Sequence, residues 1–200
     1  MKKRFDSRRT AILDTCARVF AENGYDGAGI DELCAATGLT AGGLYHYIGS
    51  KSEALLAVLE VLMDPLLDAA IPIAENDEPA ADRCRELILY WVEHVIAHRF
   101  HMMVFSQERH LLERDRKQWK VIRSSRRKFE TLLAGVLAEM RSESGSPADE
   151  ESDQLILYAL LGMVNYTPTW FNPKGTVKPA KIADNYFQVV KNSIEAGSRR

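Results

Sequence analysis

Apolar residues recur at the spacing of an α-helix along almost the whole chain, and no segment alternates apolar and polar residues for the length of a strand. This pattern predicts an all-α protein. Start and stop signals divide the chain into about nine helices, expected near residues 7–23, 29–36, 40–46, 51–67, 80–98, 100–111, 114–141, 148–171 and 179–196. Because three short helices give way to long ones near residue 50, we expect a small domain over residues 1–50 and a larger one over residues 51–200.

The expected ends of these helices rest on a few residues with strong local preferences. Asp6 or Ser7 can cap the first helix, and Gly24 can end it in the left-handed conformation. Pro65 predicts a kink or break in the fourth helix because proline has no amide hydrogen to donate.

The second and third short helices have the pattern of a helix-turn-helix. Gly38 supplies the positive φ that a tight turn between crossed helices needs, and Thr40 can cap the second of them. Leu44 and Ile48 are expected to anchor that helix to the core. A helix presented in this way fits the major groove of DNA. Its outer face is predicted to carry Thr40, Ala41, Gly43, Tyr45 and His46.

Positive charge is predicted at two places beside this motif. Residues 50–53 read Ser-Lys-Ser-Glu, a capping box that places Lys51 at a helix N-terminus, where an anion such as phosphate is favoured. Residues 2–9 hold five lysines and arginines against one aspartate. Such an arm can reach phosphates or a minor groove, and a solvated tail is the alternative.

The stretch from Ile12 to Leu55 resembles the N-terminal DNA-binding domain of the TetR family. The matching residues are Ile12-Leu13, Ala17, Phe20, Gly24-Tyr25, Ile30, Leu33 to Leu39, Leu44 to Tyr47, and Ser50-Lys51. The resemblance implies a regulator in which Tyr45 and Lys51 hold phosphates and the third helix contacts bases. The candidate DNA-binding residues are Lys3, Arg4, Arg9, Thr40, Ala41, Gly43, Tyr45, His46 and Lys51.

Three positions depart from the family pattern. Gly29 stands where a capping Thr or Ser is common, Ala41 where Lys or Arg is frequent, and Gly43 where Thr is frequent. In a helix, Gly42 and Gly43 each cost about 0.8–1 kcal/mol relative to alanine. We therefore expect sparse hydrogen-bond readout of bases. The departures also leave open a small-molecule carrier or interaction protein that has lost DNA binding.

The larger domain carries an apolar helix that needs more than one partner. Residues 155–164 are apolar on all sides, so one face is expected to meet its own domain and another a second subunit. With the last helix, this predicts a four-helix homodimer interface, and the TetR resemblance implies the same. The candidate interface residues are Leu155, Ala159, Gly162, Ile182, Tyr186 and Val190.

The same domain is rich in aromatic residues, which suits a hydrophobic ligand cavity, with ordinary core packing as the alternative. Residues 162–175, 105–111 and 126–130 resemble regulators that respond to acyl-CoA thioesters in lipid or steroid catabolism. Nine lysines and arginines in residues 109–128 could hold a pyrophosphate. The candidate ligand-binding residues are Trp91, Phe105, Arg109, Arg123, Arg127, Tyr158, Asn165, Tyr166 and Trp170.

These features predict a ligand-responsive transcriptional repressor. It would bind a near-palindromic operator in double-stranded DNA as a homodimer, and a hydrophobic effector, expected to be an acyl-CoA thioester, would release it. One alternative keeps the repressor but makes the ligand a lipophilic drug and the target an efflux pump. Basic residues 109–128 argue against that alternative.

Other classes of function lack a supporting motif. His94, His98 and His101 have the spacing of metal ligands on one helical face, but no cysteine or carboxylate cluster joins them, so no metal site is predicted. No catalytic set or phosphate-binding loop occurs, so neither an enzyme nor a cofactor is expected. Three scattered cysteines, no signal-peptide pattern and no apolar run of about 20 residues indicate a cytoplasmic protein without a membrane partner.

Overall fold

The computed structural model describes residues 2–108 and 119–197. Within these ranges the chain is all-helical, which confirms the predicted fold class. None of the helices described there is long and apolar enough to cross a membrane. The helices are α1 (Lys2–Asn23), α2 (Ile30–Thr37), α3 (Ala41–Ile48), α4 (Lys51–Ala74), α5 (Ala80–Ala97), α6 (Arg99–Gln107), α7 (Trp119–Glu143), α8 (Glu150–Trp170) and α9 (Pro179–Gly197).

The first helix begins earlier than the sequence predicted. It includes the basic residues 2–9, so Asp6 and Ser7 lie inside the helix and cap nothing, and the predicted arm is helical. The reason is a tertiary contact, because Phe5 stacks on Tyr47 of α3 with ring centroids 5.1 Å apart. Gly24 follows the helix with φ of 73°, as predicted.

The fourth helix continues to Ala74 through Pro65 and Pro72, although a kink or break and an end near residue 67 were predicted. Beyond Pro65, Leu66, Leu67 and Ala70 are buried. An internal proline costs about 3 kcal/mol, whereas burying one leucine side chain gains about 1.5–3 kcal/mol. The buried face therefore offsets the lost backbone hydrogen bonds.

The helical face predicted for His94, His98 and His101 does not exist. α5 ends at Ala97 and α6 begins at Arg99, with His98 between them at φ −104° and ψ 37°. His94 and His101 therefore lie on different helices. Among the described residues, no group of three His, Cys, Asp or Glu side chains could hold a metal ion. The predicted end of α6 at residue 111 and start of α7 at residue 114 lie outside the described residues.

The chain divides into two compact units. The first unit comprises residues 1–64 and 98–123, and the second comprises residues 65–97 and 124–200. The predicted functional division between residues 50 and 51 is a different partition and stays a prediction.

In the first unit, α2, α3 and α6 all contact α1. The fully buried side chains include Leu13 and Phe20 of α1 and Leu33 of α2. Polar contacts also join α6 to α1. The side-chain amide of Gln107 donates to the carbonyl of Ala21 at 3.4 Å.

The second unit is built on α5, which packs against α8 and α9. Trp91 of α5 is buried and meets Phe129 of α7 edge to face, with ring centroids 4.9 Å apart. Arg141 is only 2% exposed, and it donates to the carboxylate of Asp153 at 2.8 Å and to the hydroxyl of Ser152 at 3.2 Å. These bonds join the end of α7 to the start of α8, so the buried charge is paired.

The three cysteines are free thiols. Burial raises the pKa of Cys16 to about 11 and that of Cys84 to about 12. Both thiols therefore stay protonated near neutral pH and act as small apolar side chains.

Candidate nucleic-acid interface

The turn between α2 and α3 has the geometry that the sequence predicted. Gly38 adopts the left-handed conformation at φ 68°, and its amide donates to the carbonyl of Cys34. Thr40 is extended, and its hydroxyl oxygen accepts from the amide of Gly43 at 3.2 Å. Leu44 and Ile48 are the buried residues of α3. The opposite side of α3 is therefore free to face a partner.

The exposed side of α3 carries few hydrogen-bonding groups. Thr40, Ala41 and His46 are exposed, and Tyr45 is 42% exposed. No side chain caps α2, because Gly29 stands at its N-cap. This surface is shallow, so a partner can approach the α3 backbone closely.

The first turns of α1 pack on the end of α3, a contact that the sequence analysis missed. Besides stacking on Tyr47, Phe5 meets His46 edge to face with ring centroids 5.5 Å apart. The Arg9 guanidinium donates through Nε to the carbonyl of Tyr47 at 3.1 Å. Phe5, Arg9 and Ile12 recur at helical spacing, and this signal could have revealed the contact.

This contact changes the position expected for the basic residues. Arg9 was predicted to contact DNA, but it is half-buried and holds α1 to α3. Arg4 and Arg8 are exposed, and the Arg8 guanidinium lies 5.8 Å from the centroid of the Tyr47 ring. The side chain of Lys3 lies outside the described residues. Arg8 therefore joins Arg4 as a candidate phosphate contact.

Lys51 is the first residue of α4. Half of the predicted capping box forms, since the hydroxyl of Ser50 accepts from the amide of Glu53 at 3.1 Å. The other half, a bond from the amide of Ser50 to the carboxylate of Glu53, does not form. The amide of Ser50 donates to the carbonyl of Ile48 at 2.9 Å instead. The ammonium nitrogen of Lys51 lies 4.4 Å from the centroid of the Tyr25 ring.

The second unit carries an exposed apolar face on α8. Leu155, Ala159 and Gly162 are exposed along it, as an interface would require. A groove of about 230 Å³ runs between α8 and α9. It is lined by Ser152, Leu155, Ile156, Ala159, Met163, Val189, Val190 and Ser193.

The other predicted interface residues, all on α9, are less accessible. Ile182 is 5% exposed and belongs to the core of the unit, because this side of α9 is covered. Val190 is also buried, but it contributes to the groove. The hydroxyl of Tyr186 hydrogen-bonds the hydroxyl of Thr167 at 2.9 Å, and Val189 is the exposed apolar residue that the sequence analysis missed.

The predicted ligand-binding residues do not form one buried set. Tyr158, Tyr166 and Trp170 are 59%, 65% and 49% exposed. They lie at helical spacing from Leu155 and Gly162, on the face assigned to the dimer rather than in a cavity. Periodicity cannot identify the inner face of a helix that is apolar all round.

The remaining ligand candidates are divided between the units. Trp91 is buried in the second unit, where Asn165 is half-buried and Arg127 is exposed. Phe105 is buried in the first unit, where Arg123 is exposed. Arg109 lies outside the described residues. Which of them bind a ligand stays a prediction.

A helix-turn-helix whose second helix is exposed defines the class of helix-turn-helix DNA-binding proteins. Residues 12–58 match the family model of bacterial regulatory proteins of the tetR family. Residues 77–194 match the model of the tetracyclin repressor-like C-terminal domain, which covers more than half of the chain. The chain therefore belongs to the TetR family of transcriptional regulators, a family of DNA-binding proteins rather than enzymes.

Similar proteins extend over nearly the whole chain. The HTH-type transcriptional repressor KstR2 of Rhodococcus jostii is 24% identical over 188 residues, which are 94% of this chain and 91% of that protein. The structure of the ketosteroid transcriptional regulator KstR2 of Mycobacterium tuberculosis superposes with a TM-score of 0.82 at 20% identity, covering 92% of this chain and 93% of that one. The crystal structure of AibR in complex with isovaleryl coenzyme A and operator DNA superposes with a TM-score of 0.75 at 25% identity. The match covers 91% of this chain and 97% of that one.

The two glycines of α3, exposed Gly42 and half-buried Gly43, give a test of this surface. A Cβ at Gly42 would meet nothing within 4 Å, whereas a Cβ at Gly43 would lie 3.3 Å from the capping hydroxyl oxygen of Thr40. We expect Gly42→Ala to stabilise the protein by about 0.5–1 kcal/mol, because alanine favours the helix, and Gly43→Ala to stabilise it less. Thermal unfolding measures both. Gly38→Ala is the matched control and should destabilise, since its φ is positive. A lower Tm for Gly42→Ala would contradict the open geometry.

Proposed function

We propose that the chain is a ligand-responsive transcriptional repressor that binds a near-palindromic operator as a homodimer. The observation that carries this proposal is the exposed outer face of α3, followed in the chain by Lys51 at the N-terminus of α4. An α-helix of this kind fits the major groove, while flanking cations neutralise phosphates. The KstR2 proteins that match most of the chain are HTH-type transcriptional repressors.

In this proposal, the residues that position the protein on the duplex differ from those that recognise the base sequence. Phosphates are held by Lys51 at the start of α4, by the hydroxyl of Tyr45, and by Arg4 and Arg8 on α1. Thr40 and His46 reach base edges, and Ala41 and Gly43 allow the backbone of α3 to approach the groove. Phosphate contacts fix the register of the protein on the duplex, and base contacts specify the sequence.

Removing the Lys51 charge tests the proposed binding to DNA. Each phosphate contact contributes about 0.9 to the slope of log affinity against log salt. Lys51→Gln in both subunits of a dimer should therefore weaken binding and make that slope shallower by about 2. The measurement is fluorescence anisotropy, over a range of salt concentrations, with a duplex that the wild-type chain selects from a random pool.

Lys178→Gln is the matched control, because Lys178 is an exposed lysine of the second unit. It should leave both the affinity and the slope unchanged. A chain that selects no duplex would contradict the repressor and favour the carrier alternative.

The proposed dimer uses α8 and α9. The exposed apolar side chains of this surface are Leu155, Tyr158, Tyr166, Trp170 and Val189. Soluble monomers rarely expose a large contiguous apolar surface, so a second copy is the natural cover. Two copies would join four helices and hold two α3 helices about 34–36 Å apart, one turn of DNA.

A charge placed in the groove tests this dimer. Ala159 lines the groove between α8 and α9 and is exposed. Ala159→Glu should convert the dimer to a monomer, because an unpaired carboxylate would be buried between the subunits. Sedimentation equilibrium measures the mass. Gln154→Glu places the same charge on α8 outside the groove and should leave a dimer. A dimeric Ala159→Glu would place the interface elsewhere.

The proposed effector is an acyl-CoA thioester. Support comes from the resemblance of residues 162–175 to acyl-CoA-responsive regulators and from the structure of AibR with isovaleryl coenzyme A and operator DNA. Arg127 of α7, in the second unit, is an exposed cation that could meet the phosphates of such a ligand. The effector would act only through a higher affinity for the conformation that does not fit the operator.

Release of the selected duplex tests the effector. We expect an acyl-CoA to dissociate the complex in a gel shift, with free coenzyme A as the control for the phosphate moiety alone. A shift from 1:99 to 99:1 requires about 10⁴-fold preference for the released state. Unchanged binding across short- and long-chain acyl-CoAs would contradict the thioester, and release by a lipophilic drug would favour the efflux-pump alternative.

A further inference from the structure

Tyr25, in the loop after α1, is a point where three parts of the first unit meet. Its ring lies against Phe20 of α1, with centroids 5.6 Å apart. The ammonium nitrogen of Lys51 lies 4.4 Å from the same ring's centroid. Its backbone amide donates to the carboxylate of Glu108, just after α6, at 2.8 Å. Thus Phe20 contacts the ring, Glu108 holds the backbone beneath it, and the Lys51 ammonium group lies over it.

The contact with Lys51 is a cation–π interaction. A cation within about 6 Å of a ring centroid is attracted by the negative face of the aromatic quadrupole. A lysine side chain is flexible and has many accessible rotamers, so the ring restricts where the ammonium group can lie. A group held in its binding position before binding loses less entropy when the partner arrives.

The anchor on the other side is Glu108. Its side chain is buried, and the carboxylate that accepts from the Tyr25 amide lies beside Gly24 at the end of α1. Because this hydrogen bond holds the backbone of residue 25, the position of the ring follows the end of α6. The hydrogen bond at the backbone and the contact with Phe20 together position the ring.

We propose that Tyr25 is a positioning residue that holds the Lys51 ammonium group for a DNA phosphate. The inference rests on the proposed function, in which Lys51 contacts phosphate. The ring covers one side of the ammonium group, and the N–H donors on the other side stay available to phosphate oxygens, since a lysine has three. Tyr25 itself does not touch DNA in this arrangement.

The tyrosine hydroxyl has no part in this role. Burial, with the charges of Asp26 and Glu108, raises the pKa of Tyr25, so its phenol is neutral near pH 7. The face of the ring and not an ionised oxygen attracts the cation. Phenylalanine should therefore replace tyrosine at this position, whereas leucine should not.

A double-mutant cycle tests the inference with the wild-type-selected duplex. We expect Tyr25→Phe to bind within twofold of the wild-type chain. Tyr25→Leu should bind about fivefold to thirtyfold more weakly, because the dimer loses two exposed cation–π contacts. In a Lys51→Gln background, Tyr25→Leu should add nothing, because the cation it positions is gone. A purely structural role would give the same loss in both backgrounds.

A second measurement keeps ring packing constant. Phenylalanine with three ring fluorines at position 25 preserves the shape of the ring but weakens the quadrupole, so it should bind DNA more weakly than Tyr25→Phe at equal Tm. This series decides the question if Tyr25→Leu does not fold. Equal affinity of the fluorinated and unfluorinated chains would overturn the inference.

The outcomes separate this inference from the proposed function. If Lys51→Gln binds as tightly as the wild-type chain, Lys51 contacts no phosphate, and the inference falls with that contact. The other outcome is that Lys51→Gln binds weakly and that adding Tyr25→Leu to it causes the same further loss of affinity as in the wild-type chain. The DNA-binding role of Lys51 then stands, and the inference alone is overturned.

Discussion

The first unit depends on burial of one face of α1. Leu13 and Phe20 of this helix are fully buried, and α2, α3 and α6 all contact it. The polar contacts of α6 at Ala21 and Tyr25 add direction to this packing, because each needs a particular donor and acceptor position. The apolar face of α1 thus fixes the position of α3. The hydrogen bonds at Ala21 and Tyr25 fix the C-terminal end of α1.

Because the inner face of α3 supplies its packing, the residues on its outer face can have small side chains. Leu44 and Ile48 carry the packing of α3, and the Thr40 cap satisfies one of its first amides. Gly42 and Gly43 therefore weaken the helix without removing a core contact. The extra turns of α1, held by Phe5 and Arg9, support the end of α3 and offset part of that weakness.

The second unit has the opposite arrangement, in which the apolar surface exceeds what its own core covers. Leu160 and Val164 of α8 are fully buried, while Leu155 and Tyr166 on the same helix are exposed. A helix that is apolar on all sides has no preferred inner face, so its neighbours decide which side is covered. Contacts with α5 and α9 cover one side of α8, and the other side stays available to a second copy.

The sequence by itself determined the helices, the turn at Gly38, the cap at Thr40 and the buried pair of α3, because each depends on neighbours three or four residues away. It did not determine the start of α1, which stacking of Phe5 on Tyr47 decides, or the continuation of α4 through Pro65, which burial of the following residues decides. Contacts between distant segments also decided that Arg9 holds α3, that Tyr25 carries Lys51, and that the α8 aromatics are exposed. Local periodicity gives the faces of a helix, and only the tertiary structure decides what each face meets.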